Sequence, residues 1–242
     1  MKTSNSSRII VVEGETDLHV VLHLLNRKNL QLHEIERKSQ SIVVEIPGEN
    51  NLRIEVCQEG GFNQMFEEIG VKLKKSELEC IGFVFDANGD PKKQWRKVRG
   101  KILEKHRELQ AESSSKLKKV FRETPVPEGL WVRDYSPKVG MWMMPNNKDT
   151  GEIEDFLSYM IHPKDHCWKH AQDYVETILQ ERKRFPGYKV IKENKALKAK
   201  IHAWLAVQEK PNRPPGEAIK RNYFNSNAPM AQPFQRWLGN LP

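Results

Sequence analysis

The apolar positions of the chain change repeatedly between strand-like and helix-like patterns. Short apolar or alternating runs predict strands at residues 8–12, 30–37, 41–47, 51–57, 80–86, 129–135 and 139–145. Helical spacing of apolar residues predicts helices at residues 15–27 and 61–75, in the basic segment after residue 90, and from residue 151 onward. Strands that alternate with helices predict an α/β fold with a mainly parallel sheet flanked by helices, followed by a C-terminal helical extension.

The length and punctuation of the chain predict one domain over residues 1–242, with a core at 8–160 and a helical extension at 161–242 packed on it. No apolar run approaches the ~18 residues of a membrane span, so a membrane partner is not expected. The first residues, MKTSNSSR, lack the apolar region of a secretion signal. Three scattered cysteines fit a reducing cytoplasm better than a disulfide framework, so the expected location is cytoplasmic.

The positive charge of the chain is concentrated in one segment. Residues 91–122 hold twelve Lys or Arg against three Glu, a local charge of +9 in a chain whose net charge is +8. A local basic run is typical of a surface that binds a polyanion, although it is also typical of a solvated helix. Trp95 in this run either stacks on a base or holds the helix to the core. The predicted nucleic-acid contacts are Lys92, Lys93, Arg96, Lys97 and Arg99.

Acidic residues follow the apolar strands at three places. They are Glu13, Glu15 and Asp17 after the first strand, Asp86 and Asp90 with Asn88 after the strand at 80–86, and Glu152, Glu154 and Asp155 after the last strand. Ligands of open α/β sheets bind at the carboxyl ends of strands. Carboxylates gathered there repel one another unless a cation neutralises them, and Mg²⁺ or Mn²⁺ prefers such oxygen ligands. This pattern predicts a divalent-cation site beside the basic helix.

Simpler roles exist for several of these acids. Glu15 and Asp17 complement the dipole at the start of a helix, and Asp149 with Glu152 forms a plausible capping pair. Asp86 and Asn88 are compatible with an Asx-type turn. Glu13 directly ends a buried strand, where it has no helix to cap.

The motifs VVEGETD, FVFDANGD and GEIEDFL, in this order, resemble the Toprim domain, the α/β metal-binding fold of topoisomerases, primases and certain nucleases. Their spacing is closest to that of the overcoming-lysogenization-defect type of Toprim nuclease, whose Glu-x-x-x-acid is matched by Glu13 and Asp17, and whose Gly-x-x-Glu is matched by Gly151 and Glu154. The C-terminal region also resembles small stand-alone Toprim-like prokaryotic proteins grouped as a family of unknown function. The likeness extends over nearly the whole chain.

This resemblance implies a site as well as a fold. Glu13 and Asp86 would be the principal ligands of Mg²⁺ or Mn²⁺ and catalytic residues, while Asp17 and Glu154 would help to hold a second ion. The family's Asp-x-Asp is replaced here by Asp86-Ala87-Asn88, so Asn88 offers a neutral oxygen where the family has a carboxylate. A late lysine of these nucleases stabilises the charged transition state, and Lys198 is the candidate, with Lys195 and Lys200 as neighbouring alternatives.

The expected function is therefore a cytoplasmic, metal-dependent phosphodiesterase acting on nucleic acid, with DNA favoured over RNA. A second hypothesis is a non-catalytic, metal-dependent binding module that works with a separate ATPase chain, and the Asn88 replacement favours it. A third is a basic nucleic-acid binder whose acids only cap helices. The oligomeric state is not predicted.

Overall fold

The computed structural model describes residues 7–26, 33–46, 52–73, 78–109, 117–133, 136–184, 187, 189, 191–211 and 213–241. The described strands are β1 (Ser7–Val12), β2 (His33–Arg37), β3 (Ser41–Ile46), β4 (Leu52–Gln58), β5 (Leu78–Asp86), β6 (Leu130–Val132) and β7 (Lys138–Met144). The main described helices are α1 (Glu15–Asn26), α2 (Phe62–Leu73), α3 (Pro91–Leu109), α4 (Ile153–Tyr159), α5 (His166–Arg184), α6 (Ala196–Leu205), α7 (Pro215–Lys220) and α8 (Gln232–Gly239).

All seven strands form one sheet in the order β2-β3-β4-β1-β5-β7-β6. The four central strands, β4, β1, β5 and β7, are parallel to their neighbours among themselves, while β3 and β6 run antiparallel at the two sides. The predicted α/β class is confirmed, and the sheet is mixed but mostly parallel. The antiparallel part follows from chain connectivity, because the three residues between β2 and β3 are too few for a parallel crossover. Residues 48–50, whose Gly-Glu-Asn sequence predicts a turn between the strands expected at 41–47 and 51–57, lie outside the described residues.

Hydrophobic clusters cover both faces of the sheet, which explains the continuous apolar runs of its central strands. In β1, Ile10 and Val12 point into a cluster with α1 and the C-terminal helices, whereas Ile9 and Val11 point into a cluster with α2 and α3. None of these four side chains is exposed. The sheet therefore lies between two helical layers, and its strand ends are left for polar residues.

The C-terminal helices are joined to the sheet by a pair of tryptophans. Trp131 and Trp237 stack with ring centroids 5.0 Å apart. The Trp131 indole N–H donates to the Trp237 carbonyl, and the Trp237 indole N–H donates to the Leu130 carbonyl, both at 3.1 Å. Burial of such large rings with their polar atoms satisfied contributes strongly to packing. In the described part of the chain, no helix is both long and apolar enough to cross a membrane.

Replacing Gly140 by Ala is expected to lower the free energy of unfolding by about 1–3 kcal/mol, because an added methyl overpacks the core. A Cβ at Gly140 would lie 2.6 Å from the Trp131 ring. The matched control is Gly100→Ala on α3, where nothing lies within 4 Å of the added carbon. That change should stabilise the protein by up to about 1 kcal/mol. Urea unfolding of both variants measures the difference, and equal effects would contradict the packing of Trp131 on Gly140.

Candidate functional site

The carboxyl ends of β1 and β5 bring Glu13 and Asp86 together. The two strands are parallel neighbours, with Val12 opposite Val84, so the residues that follow them emerge at the same edge of the sheet. The backbone N–H of Asp86 donates to Glu13 Oε1 at 3.0 Å. Glu13 thus lies against the end of the neighbouring strand. Burial raises the pKa of Glu13, and the charge of Glu152 raises it further, against the opposing effects of the Asp86 N–H and Lys97.

Asp86 is a largely buried carboxyl group that lies among other acids. Its Oδ1 atom is buried and has no hydrogen-bond partner among the described residues. Burial raises the pKa of Asp86 to about 9, and the negative charges of Asp17, Glu13, Glu152 and Glu154 all add to this effect. A carboxyl group in such surroundings retains its proton at neutral pH unless a cation is supplied.

Asp17, on the first turn of α1, belongs to the same group of acids. Its side chain is only 6% exposed. Burial raises the pKa of Asp17 to about 7, and the charges of Glu13 and Glu154 contribute, while backbone hydrogen bonds at Asp17 and Gly14 favour the charged form. The charges of Glu13, Asp17 and Glu154 all raise the pKa of Asp86, so these four carboxyl groups share one electrostatic environment.

Glu154 reaches this environment from the first turn of α4 and is itself paired with a lysine. It is 8% exposed as a residue. Lys198 Nζ on α6 lies 2.9 Å from Glu154 Oε1, and the same carboxylate raises the pKa of Lys198. Lys195 Nζ lies 3.5 Å from Glu152 Oε2. These residues line a cleft of about 460 Å³ that also includes Asn88 and Gly151.

Asn88 has a structural task in the loop after β5. Its backbone is left-handed, with φ 54°, and it exchanges two hydrogen bonds of 2.8 and 3.0 Å with the backbone of Gly151. Its side-chain amide donates to the Asp86 carbonyl at 3.3 Å. This bridge ties the loop after β5 to the loop before α4, so the end of β5 with Asp86 and the first turn of α4 with Glu154 are held near each other.

Some of the acids near the site only cap helices. Asp90 Oδ1 accepts from the Lys93 N–H at 3.0 Å and so caps α3. The predicted pairing of Asp149 with Glu152 is wrong. Glu152 directly precedes α4 and its N–H donates to Asp155 Oδ2 at 2.8 Å, while Asp149 bonds Asn146. The helix begins at Ile153, which is too late for Asp149 to cap it.

The basic helix α3 divides its cations between two roles. Lys92, Lys93, Arg96 and Lys97 are exposed. Arg99, also predicted to contact nucleic acid, instead donates to the carbonyls of Phe121 and Lys118 at 2.8 and 3.1 Å. Trp95 is fully buried and its indole N–H donates to the Arg122 carbonyl at 3.0 Å, so it holds the helix to the core and does not stack on a base.

A buried ion pair beside the site was missed by the sequence interpretation. Glu59 directly follows β4, its N–H donates to the Val12 carbonyl at 3.3 Å, and its carboxylate lies 2.7 Å from Lys72 Nζ. The signal for it was an acid two residues beyond the predicted end of a strand. Because Lys72 neutralises it within the fold, Glu59 is a structural acid at the same sheet edge.

Among the described residues, no three His, Cys, Asp or Glu side chains are placed close enough to hold a metal ion together. The acids are engaged by internal groups instead: Glu13 by the Asp86 N–H, and Glu154 by Lys198. Among the carboxyl groups of the described chain, only that of Asp86 has a buried oxygen without a hydrogen-bond partner. The site is therefore a set of neighbouring carboxyl groups, one of which has a buried oxygen without a partner among the described residues.

Stability is expected to fall as pH rises between about pH 4 and 9, because Asp86 keeps its proton when folded but loses it when unfolded. One such proton corresponds to at most about 1.4 kcal/mol per pH unit. Urea unfolding with a chelator present should show this decline for wild type and a shallower one for Asp86→Asn. The control, Asp173→Asn, removes an exposed aspartate of α5 and should retain the wild-type slope. Parallel slopes for all three proteins would contradict the raised pKa.

A family model described as a protein of unknown function, DUF3226, matches residues 7–242. Comparisons with curated proteins and with solved structures give no match. The match extends through the acidic loops, the basic helix and the C-terminal helices. The chain thus belongs to the DUF3226 family.

Proposed function

We propose that this protein has a Toprim-like fold and is a Mg²⁺- or Mn²⁺-dependent phosphodiesterase that cleaves nucleic acid. The observation that carries the proposal is the buried, unpartnered oxygen of Asp86 at the end of a central strand, with four further carboxylates raising its pKa. A buried carboxyl group of this kind is compatible with the fold either as a neutral acid or as the ligand of a cation.

The donor chemistry fits a hard divalent cation. Asp86 and Glu13 would be its main protein ligands, with Asp17 and Glu154 close by. Mg²⁺ binds through one or two carboxylates and several waters, so a cage of three protein ligands is not required. When bound, such an ion supplies positive charge that activates water and stabilises charge on a phosphate. The protein's own part is to keep Asp86 at the sheet edge and Lys198 beside Glu154 in the neighbouring cleft.

The exposed start of α3 lies close to these acids. Asp86 ends β5 and α3 begins at Pro91, so only a short loop separates the acids from Lys92 and Lys93. The charge of Lys97 lowers the pKa of Glu13, which places it within electrostatic reach of the site. Cations beside a phosphate-cleaving site would position the backbone of a nucleic acid, and such contacts depend on salt rather than on base sequence.

A second candidate is a non-catalytic, metal-dependent binding module that works with a separate ATPase chain. Asn88 favours it. This residue stands where the Toprim motif has a carboxylate, and here it bridges to the backbone of Gly151 and donates to the Asp86 carbonyl. Because the Asn88 side chain is uncharged, it would hold a second metal ion less tightly than a carboxylate would. Under this alternative the protein binds a cation and nucleic acid but leaves the phosphodiester bond intact.

Glu13→Gln and Asp86→Asn are each expected to reduce Mn²⁺-dependent cleavage of labelled DNA or RNA by at least about 100-fold, since each removes a charged ligand. The assay compares both variants and wild type on single- and double-stranded substrates, with Mg²⁺, Mn²⁺ or chelator. Glu128→Gln, an exposed glutamate, is the matched control. Cleavage that survives in both site variants would reject the proposal. Metal-dependent binding without cleavage by wild type would support the binding module instead.

Lys92→Gln with Lys93→Gln is expected to weaken duplex binding and to reduce the log–log salt slope by roughly 2, because each phosphate contact contributes about 0.9. The control pair is Lys101→Gln with Lys105→Gln on the same helix, whose ammonium groups already pair with Glu104 and Glu108. Titration over a range of salt concentrations measures both slopes. Equal reductions in the two double variants would show that the start of α3 has no special role.

A further inference from the structure

Two lysines from one short segment contact the two glutamates that face the acid site. Lys198 Nζ lies 2.9 Å from Glu154 Oε1, and Lys195 Nζ lies 3.5 Å from Glu152 Oε2. The two pairs differ in their surroundings. The Glu154 side chain is 10% exposed and that of Lys198 is 49% exposed, whereas both members of the Lys195–Glu152 pair are well exposed.

We propose that Lys198 is an exchangeable cation, that is, a positive charge that a divalent cation can replace. This proposal rests on the cation site proposed above. It neutralises Glu154 as long as no divalent cation is bound, and a bound cation displaces it. A buried carboxylate needs a positive partner, because leaving it unpaired is strongly destabilising. A lysine ammonium on a flexible, half-exposed side chain can provide that charge and can leave without disturbing the core.

The position of Lys198 gives the exchange a consequence for substrate binding. Lys198, Glu154 and Asn88 line the same cleft, so the Lys198 ammonium group, once released from Glu154, stays in this cleft. There it is available to an anionic phosphate oxygen, a role that a fixed positive charge fills well. Contact between Lys198 and phosphate would then depend on prior binding of the metal, which couples the two ligands in this site.

The neighbouring lysines do not share this arrangement and serve as controls. Lys195 has the same charge on the same segment, but its partner Glu152 is the N-cap residue that directly precedes α4. Lys200 is two residues beyond Lys198 on α6 and pairs with Glu176 of α5. Removing either lysine changes the local net charge by the same amount as removing Lys198, without freeing Glu154.

The test is isothermal titration of Mn²⁺ into wild type, Lys198→Met, Lys195→Met, Lys200→Met and Lys198→Arg, without nucleic acid. Lys198→Met should bind Mn²⁺ about two- to fivefold more tightly, because the cation no longer competes with an ion pair of ordinary strength. Lys195→Met and Lys200→Met should bind nearly as wild type does, and Lys198→Arg should restore the competition. Thermal unfolding in chelator should show a lower midpoint for Lys198→Met and a larger rise on adding Mn²⁺.

Three results would overturn the exchange. Equal strengthening in Lys195→Met and Lys198→Met would show a general effect of charge. Weaker binding in Lys198→Met would show that Lys198 holds Glu154 in place for the metal. Absence of Mn²⁺ binding in every protein would remove the proposed cation site, and the exchange with it. The expected order of affinities without any cleavage would support the exchange while rejecting only the hydrolytic function.

Discussion

The burial of Asp86 among other carboxyl groups is the constraint on which the arrangement of the site depends. Hydration lost on folding raises the pKa of Asp86 to about 9 and that of Asp17 to about 7. The fold tolerates this cost because β1 and β5 are covered on both faces by hydrophobic clusters. The C-terminal region also contributes to this edge of the sheet, because α6 supplies Lys198, the lysine that neutralises Glu154.

The elements around the site could be predicted to the extent that burial leaves a pattern in the sequence. β1, β5 and β7 are continuous apolar runs because both of their faces are covered, and their predicted positions agree with the structure to within about two residues. The short antiparallel strands could be located but their order could not, because pairing across the sheet is decided by contacts distant in sequence.

The individual site residues were harder to predict. Glu13 and Asp86 could be placed at one edge because each ends an apolar strand. The partner of Glu154 could not be determined, since Lys195, Lys198 and Lys200 lie on one helical segment and only packing shows that each contacts a different glutamate. The hydrogen bonds of Arg99 could not be predicted for a similar reason, because charge alone does not show that a guanidinium donates to backbone carbonyls.

The structure also weighs against the interpretation in which all of the acids merely cap helices. Asp90 and Asp155 do bond backbone N–H groups at helix starts. Asp17 lies in the first turn of α1, where the helix dipole favours a charged carboxylate, yet burial and neighbouring acids raise its pKa to about 7. Asp86 ends a strand and caps nothing. Capping therefore accounts for Asp90 and Asp155, whereas it does not explain the burial of Asp17 and Asp86.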